Sequence, residues 1–344
     1  MGGTVDYRMT TIGALLGRSL DDRGGDLFLT LDPAFQGLPD TAHGGSVLAA
    51  FDALAGLRGP RAVAGVYRKR VPLGVPLALA RTREAGAHAF ALRDPDGSVL
   101  VDGRVAATAA DAGGHADEPA GGRAREESTE TRSRRGECGP RAPGWSPAAQ
   151  GQRTPAAWST ATPPAHAGPP ALPESDGHPL PISRACFACG SDNPLGLRVR
   201  LAFDDRTVWG AWAPREPFRD ADGALAPAAL TTLLDETAFW LGALATGESG
   251  MTTDLRVTLH RPVPFGTAIR VSGSRAAVRP HADDRRYWDT AVAAHDAAGA
   301  RVASARITFV AVRGAARRLV RGMLAINDAD VVRRVFPAYA RAGA

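Results

Sequence analysis

Two helix starts in this chain stand ahead of an acidic residue at one fixed distance. In the first half the start reads His43-Gly44-Gly45, and Asp52 follows nine positions after the histidine. In the second half Asp235 keeps that place, but nine positions upstream stand Ala226-Pro227-Ala228. Such a set could stabilise an oxyanion. The first N–H groups of a helix have no partner inside it and lie at the positive end of its dipole. A neighbouring carboxylate supplies a general base or a nucleophile, and glycine lets a reacting group come close to the backbone.

Spacing limits how these residues combine. Gly44 and Asp52 are eight residues apart on one helix, roughly 12 Å along its axis. One reacting carbonyl cannot touch both, so the acid that serves Gly44 must come from another helix. At the second start, Pro227 has no N–H to donate, although proline is comfortable at a first helical position. The helix survives there without its donor.

Repeated patterning surrounds these residues. The first helix spans roughly Gly44 to Leu57, with Val47, Leu48, Phe51 and Leu54 at three- and four-residue spacings. The second spans roughly Pro227 to Ala245, with Leu230, Leu233, Leu234, Ala238 and Leu241. A β-like run precedes each (Leu27 to Leu31; Val208 to Ala213), and several follow. In the second copy these are Leu255 to Leu259, Ala268 to Gly273, Tyr287 to His295 and Arg301 to Val312. Phe35 and Phe218 each lie eight residues before the motif. Val71-Pro72-Leu73-Gly74 is echoed by Val263-Pro264-Phe265-Gly266, and Asp96-Gly97-Ser98-Val99 by Ala298-Gly299-Ala300-Arg301. The pattern predicts an α+β fold in two copies, each a sheet wrapped around one helix.

At 344 residues the chain can hold two domains with a core each. We expect domain 1 at 1–110, a disordered Pro/Gly/Ala-rich linker at 111–181, domain 2 at 182–315 and a basic helical tail at 316–344. Within the linker, Trp145 and Trp158 read as incidental; in the tail, Asp328 to Tyr339 reads as one short helix. The net charge of +5 does not imply a nucleic-acid groove, because residues 311–344 carry 7 basic against 2 acidic residues and so hold a surplus of that size. No apolar run approaches the roughly 20 residues of a membrane span. The N-terminus lacks a charged stretch followed by an apolar one, so the expectation is a cytoplasmic protein with neither membrane nor nucleic-acid partner.

The residues quoted above resemble the hotdog-fold thioesterase superfamily, in particular the phenylacetic-acid-pathway and Them-type acyl-CoA thioesterases. His43-Gly44-Gly45 with Asp52 resembles the start of that group's central helix. Cys186-Phe187-Ala188-Cys189-Gly190, with Asn193-Pro194 and Gly196-Leu197, resembles an N-terminal strand region. Leu233-Leu234-Asp235-Glu236-Thr237 resembles the helix, and Met251 to Leu255 the strand after it. The resemblance implies a double hotdog whose facing helices form an intrachain pseudo-dimer. It also implies Gly44 as the oxyanion donor, served by Asp235 from the other half, with His43 beside it. Thr252 falls where related enzymes carry a Ser or Thr that assists the acid or the water. The implied activity is hydrolysis of an acyl-CoA or acyl-carrier-protein thioester at one composite site, with no cofactor. A homodimer of such chains is open. So are two other readings, a non-catalytic acyl-binding or assembly module and a hotdog hydratase/dehydratase.

Purely structural roles are open to the same residues. His43 could act on substrate or simply fix the loop before the helix. Asp52 reads as a vestige or a structural polar contact, Asp254 as a local cap or pair, and Glu236 as facing another side of the helix from Asp235. Arg68, Lys69, Arg70, Arg256 and Arg261 are candidates for the phosphates of coenzyme A. Phe239 and Trp240 could line an acyl tunnel. Cys186 and Cys189 supply half of a zinc site with no second Cys/His pair at suitable spacing, so no metal is expected.

Overall fold

The computed structural model describes Tyr7, residues 10–108 and residues 177–339. Most of the expected linker, including Trp145 and Trp158, lies outside the described residues. Its last residues do not belong to a linker: His178 and Pro179 already form a strand of the second half.

The first half runs α1 (Ile12–Arg18), β1 (Leu20–Arg23), β2 (Asp26–Leu29), α2 (Gly44–Ala55), β3 (Arg61–Tyr67), β4 (Leu77–Glu84), β5 (Ala87–Arg93) and β6 (Val99–Ala107). The second begins with β7 (His178–Pro179), β8 (Ala202–Phe203), β9 (Thr207–Trp212) and α3 (Pro227–Thr246). It continues with β10 (Gly250–Leu259), β11 (Ile269–Ser274), β12 (Arg279–Pro280), β13 (Tyr287–His295) and β14 (Arg301–Ala311), then α4 (Ala316–Leu324) and α5 (Ala329–Val335). One antiparallel sheet joins them in the order β1-β2-β4-β5-β6-β3-β10-β14-β13-β11-β9-β8-β7. The halves meet where β3 pairs with β10, Gly65 opposite Leu255 and Val63 opposite Val257. Outward from that seam, β3-β6-β5-β4-β2 is matched by β10-β14-β13-β11-β9. This is the expected α+β double hotdog.

The sequence echoes are structural equivalences. Val71 O accepts from Ala42 N–H at 2.9 Å, and Val263 O from Leu225 N–H at 2.7 Å. Phe35 O accepts from His43 N–H at 2.8 Å, and Phe218 O from Ala226 N–H at 2.9 Å. Each helix therefore starts from the same anchored loop. Both end on a glycine in the left-handed region, Gly56 at φ 62° and Gly247 at φ 67°, where a Cβ would be strained. Along α2, Val47, Leu48 and Phe51 are fully buried, and Phe51 stacks on Phe90 of β5 at 4.9 Å between ring centroids. Most of α3 is buried, with Leu233, Leu234, Trp240 and Leu241 in the core.

Three elements depart from the sequence reading. The tail holds two helices instead of one. In α4, Ala316, Leu319, Val320 and Met323 are buried beneath exposed arginines; between α4 and α5, the Asn327 side chain donates to Ile182 O and accepts from Ile182 N–H, each at 2.9 Å. Helix α1 was not foreseen. The segment from Cys186 to Leu197 is turn and loop, not strand. Its polar backbone is satisfied partly across the seam: Phe187 N–H donates to Gln36 O at 2.5 Å, and the Asn193 amide donates to Ala34 O at 2.7 Å. Phe187 packs edge-on against Phe35, centroids 5.1 Å apart. The second half thereby delivers Cys186 to the helix start of the first. Among the described residues, no helix is long and apolar enough to cross a membrane.

Candidate active site

The start of α2 meets the middle of α3 at very short range. A Cβ on Gly45 would lie 2.6 Å from Thr231 O and 2.7 Å from Thr232 Cα, so only glycine allows the two backbones to approach. The Thr231 hydroxyl donates back to Gly45 O at 2.8 Å. This crossing seats Asp235 against the first turn of α2. Gly45 N–H donates to Asp235 Oδ2 at 3.0 Å, and a Cβ on Gly44 would lie 2.7 Å from the same oxygen. Sequence reasoning took Gly44 as room for a substrate; the space is taken by the partner acid. The Gly44 N–H has no acceptor among the described residues.

Asp235 is held from two further sides. Thr252 donates its hydroxyl to Oδ1 at 2.6 Å, and His43 Nδ1 lies 3.1 Å from Oδ2. A bulge in β10 between Thr252 and Asp254 accompanies this aim of Thr252 toward α3. Burial opposes ionisation of Asp235, but His43, Thr252 and Gly45 N–H outweigh it and hold the carboxyl below its ordinary range. For His43 burial likewise favours the neutral form; Asp235 and then Glu236 overcome it and raise its pKa well above the ordinary histidine value. The proton on Nδ1 faces Asp235. Gly45 N–H also lies 3.3 Å from that nitrogen, but a protonated Nδ1 offers no lone pair, so the carboxylate is the acceptor.

Glu236 corrects one expectation. It lines the same cavity, with Oε2 3.5 Å from His43 Nε2 and Oε1 accepting from Trp240 Nε1–H at 3.0 Å. Adjacent helical residues diverge by about 100°, which seemed to exclude one of them from the site. The imidazole spans the difference, with one nitrogen toward each carboxylate.

The cavity measures about 100 Å³. Its walls come from the first half (His43, Gly44, Tyr67), the second (Cys186, Asp235, Phe239, Met251, Thr252) and the tail (Leu319, Met323). Phe239 and Trp240 both line it. Tyr67 escaped the sequence analysis, since nothing in its strand pattern marks it; its hydroxyl donates to Gly44 O at 2.6 Å, and burial pushes its phenol well up. At Cys186, a hydrogen bond from the Cys189 thiol holds the pKa below the ordinary thiol value, and Cys189 is pushed well above it.

The basic candidates do not converge. Arg68 pairs with Asp102 at 2.6 Å, Lys69 with Asp94 at 3.3 Å, Arg256 with Asp254 at 2.9 Å, and Arg261 with Asp296. Lys69 and Arg70 alone of the five line the cavity, and Arg70 Nε donates to Met251 Sδ at 3.3 Å. The other helix start is built differently. Arg61 grips Asp52 with two bonds of 2.5 and 2.7 Å, both residues buried, while Ala226 has no side-chain cap and Pro227 no N–H.

No protein-family model matches the chain, and no curated protein sequence matches it. Solved structures do. An acyl-CoA thioesterase II, TesB2, from Mycobacterium marinum superposes with a TM-score of 0.51 at 14% identity, covering 88% of this chain and 98% of that one. A tesB protein from Mycobacterium avium subs paratuberculosis gives 0.51 at 13% identity, with coverage of 88% and 98%. A hotdog-fold protein of unknown function from Alicyclobacillus acidocaldarius gives 0.50 at 12%, covering 88% and 97%. At these identities the likeness establishes the tandem hotdog fold.

Proposed function

We propose that the protein hydrolyses acyl thioesters, releasing a free acid and a thiol, at one composite site between the two halves. One observation carries the reading: a carboxylate from the second half, Asp235, sits against the donor end of α2 from the first, inside a cavity. In this reading the thioester oxygen accepts the free Gly44 N–H, and the helix dipole offsets its developing charge. Asp235, ionised and held by the next N–H along, Gly45, attacks the carbonyl carbon or takes the proton of an attacking water. Thr252 and His43 keep its two oxygens in place, and Tyr67 fixes the peptide that carries the donor. The names of the TesB neighbours support a thioester substrate.

Lys69 and Arg70, the two candidates at the cavity, are the residues we assign to the phosphates of coenzyme A or of a carrier-protein arm. Leu319, Met323 and Phe239 wall the acyl side, so the tail is part of the substrate pocket. The test is thiol release from a panel of acyl-CoAs. Turnover is expected, and Met323→Ala should shift the preference toward longer acyl groups. Acyl-CoA binding without thiol release from any of them would refute the hydrolase and favour an acyl-binding module.

A further inference from the structure

A second chemistry is built into the far side of His43. The Cys186 sulfur, a His43 nitrogen and a Glu236 oxygen all lie within 4.8 Å of one another. All three residues are buried, at 4%, 6% and 5% exposure, and all border the cavity. Two come from the second half and one from the first. They are far apart in sequence, so no local Cys/His spacing marks the group.

We infer that His43, Cys186 and Glu236 form a three-ligand site for a borderline-soft divalent cation, represented by zinc, with a fourth position open to the cavity. Thiolate, imidazole and carboxylate together suit zinc and disfavour the hard cations magnesium and calcium. Zinc bond lengths in a tetrahedron place ligand atoms about 3.4–3.6 Å apart. His43 Nε2 and Glu236 Oε2, at 3.5 Å, already span such an edge. That separation exceeds an ordinary N–H···O bond. Edges to sulfur, at most 4.8 Å, close with a movement of about 1 Å.

Each ligand is also oriented by a group behind it, the arrangement that fixes metal-binding side chains. His43 faces Asp235 through Nδ1 at 3.1 Å, which leaves Nε2 to point at the ion. Cys186 Sγ accepts from Ala188 N–H at 3.4 Å, and Glu236 is held by Trp240 at 3.0 Å. Charge points the same way. Two carboxylates and a thiol surround one buried imidazole, and a divalent ion offsets that negative excess. Three protein ligands with one open position is the pattern of zinc sites that accept water or substrate.

This inference does not rest on the hydrolase reading, because the ion is read without a thioester. The full-length protein, stripped with chelator under reducing conditions, is titrated with Co(II). We expect one equivalent to bind with visible tetrahedral ligand-field bands and a near-ultraviolet thiolate-to-cobalt band, and Zn(II) to displace it. Cys186→Ala should lose the thiolate band, and Glu236→Gln should weaken binding at least about 10-fold. Cys189→Ala should keep the band, as should Cys138→Ser at the third cysteine, which lies outside the described residues. Absence of a saturable thiolate band in the wild type overturns the site, as does a band that survives Cys186→Ala or vanishes in Cys138→Ser. If Cys186→Ala does not fold, the wild-type and Cys138→Ser titrations still decide.

Discussion

The starts of α2 and α3 hang from equivalent loops, carry an acid at the same helical position and border one seam, yet their surroundings share almost nothing. At the first, an acid from the opposite helix is gathered in by a backbone N–H, a hydroxyl and an imidazole, and a free donor remains beside it. At the second, Asp52 is tied to Arg61, and the donor position is a proline. The duplicated scaffold has kept the carboxylate in both places and changed its company. Ionised and addressable at one end, it is neutralised inside a buried pair at the other. In the proposed reading the working end depends on both copies, since neither helix could supply donor and acid alone.

Substitutions can break this contrast, and they rank by size. Arg61→Ala leaves Asp52 buried without its counter-ion and should destabilise the fold by about 3–5 kcal/mol, with kcat of the surviving protein little changed; thermal melts alongside kinetics check both. Gly44→Ala places a Cβ where Asp235 Oδ2 now lies. Displacing the acid from the donor should lower kcat by about 10²- to 10³-fold, and disturbing its buried hydrogen bonds should cost about 1–3 kcal/mol in a melt.

A smaller effect follows from pH. The raised pKa of His43 means its contribution to stability is complete below the unfolded value, about 6.5, and is lost as pH rises through the higher folded value. Asp235, depressed, contributes above its unfolded value and loses that contribution as pH falls through the folded one. In the metal-free protein an alkaline loss of stability should appear in melts of the wild type and vanish in His43→Gln. Least of all, Pro227→Ala restores an N–H at the second start but neither frees Asp52 nor supplies a histidine. It should shift stability by less than about 0.5 kcal/mol and leave turnover unchanged.

Much of this was legible in the sequence, for physical reasons that differ by residue. Periodicity exposed α2, α3 and the long strands, because each buries one face. The rise per residue alone separates Gly44 from Asp52 and requires an acid from the other helix. Glu236 was misplaced because a helical wheel treats neighbouring residues as exclusive, whereas one imidazole reaches both. Tyr67 belongs to the site through a bond from β3 to the start of α2, and Cys186 through contacts of its loop with the first half; no local pattern encodes either. Helix α4 was hidden by its arginines; its apolar stripe of Leu319, Val320 and Met323 is short and gains meaning only against the cavity it closes.

The central claim is the asymmetry of the two ends, and paired kinetics of Asp235→Asn and Asp52→Asn test it most directly. With both variants folded, thiol release should fall by two orders of magnitude or more for Asp235→Asn and stay within about threefold of wild type for Asp52→Asn. Equal losses from the two, or an Asp235→Asn variant that turns over normally, would contradict a single composite site.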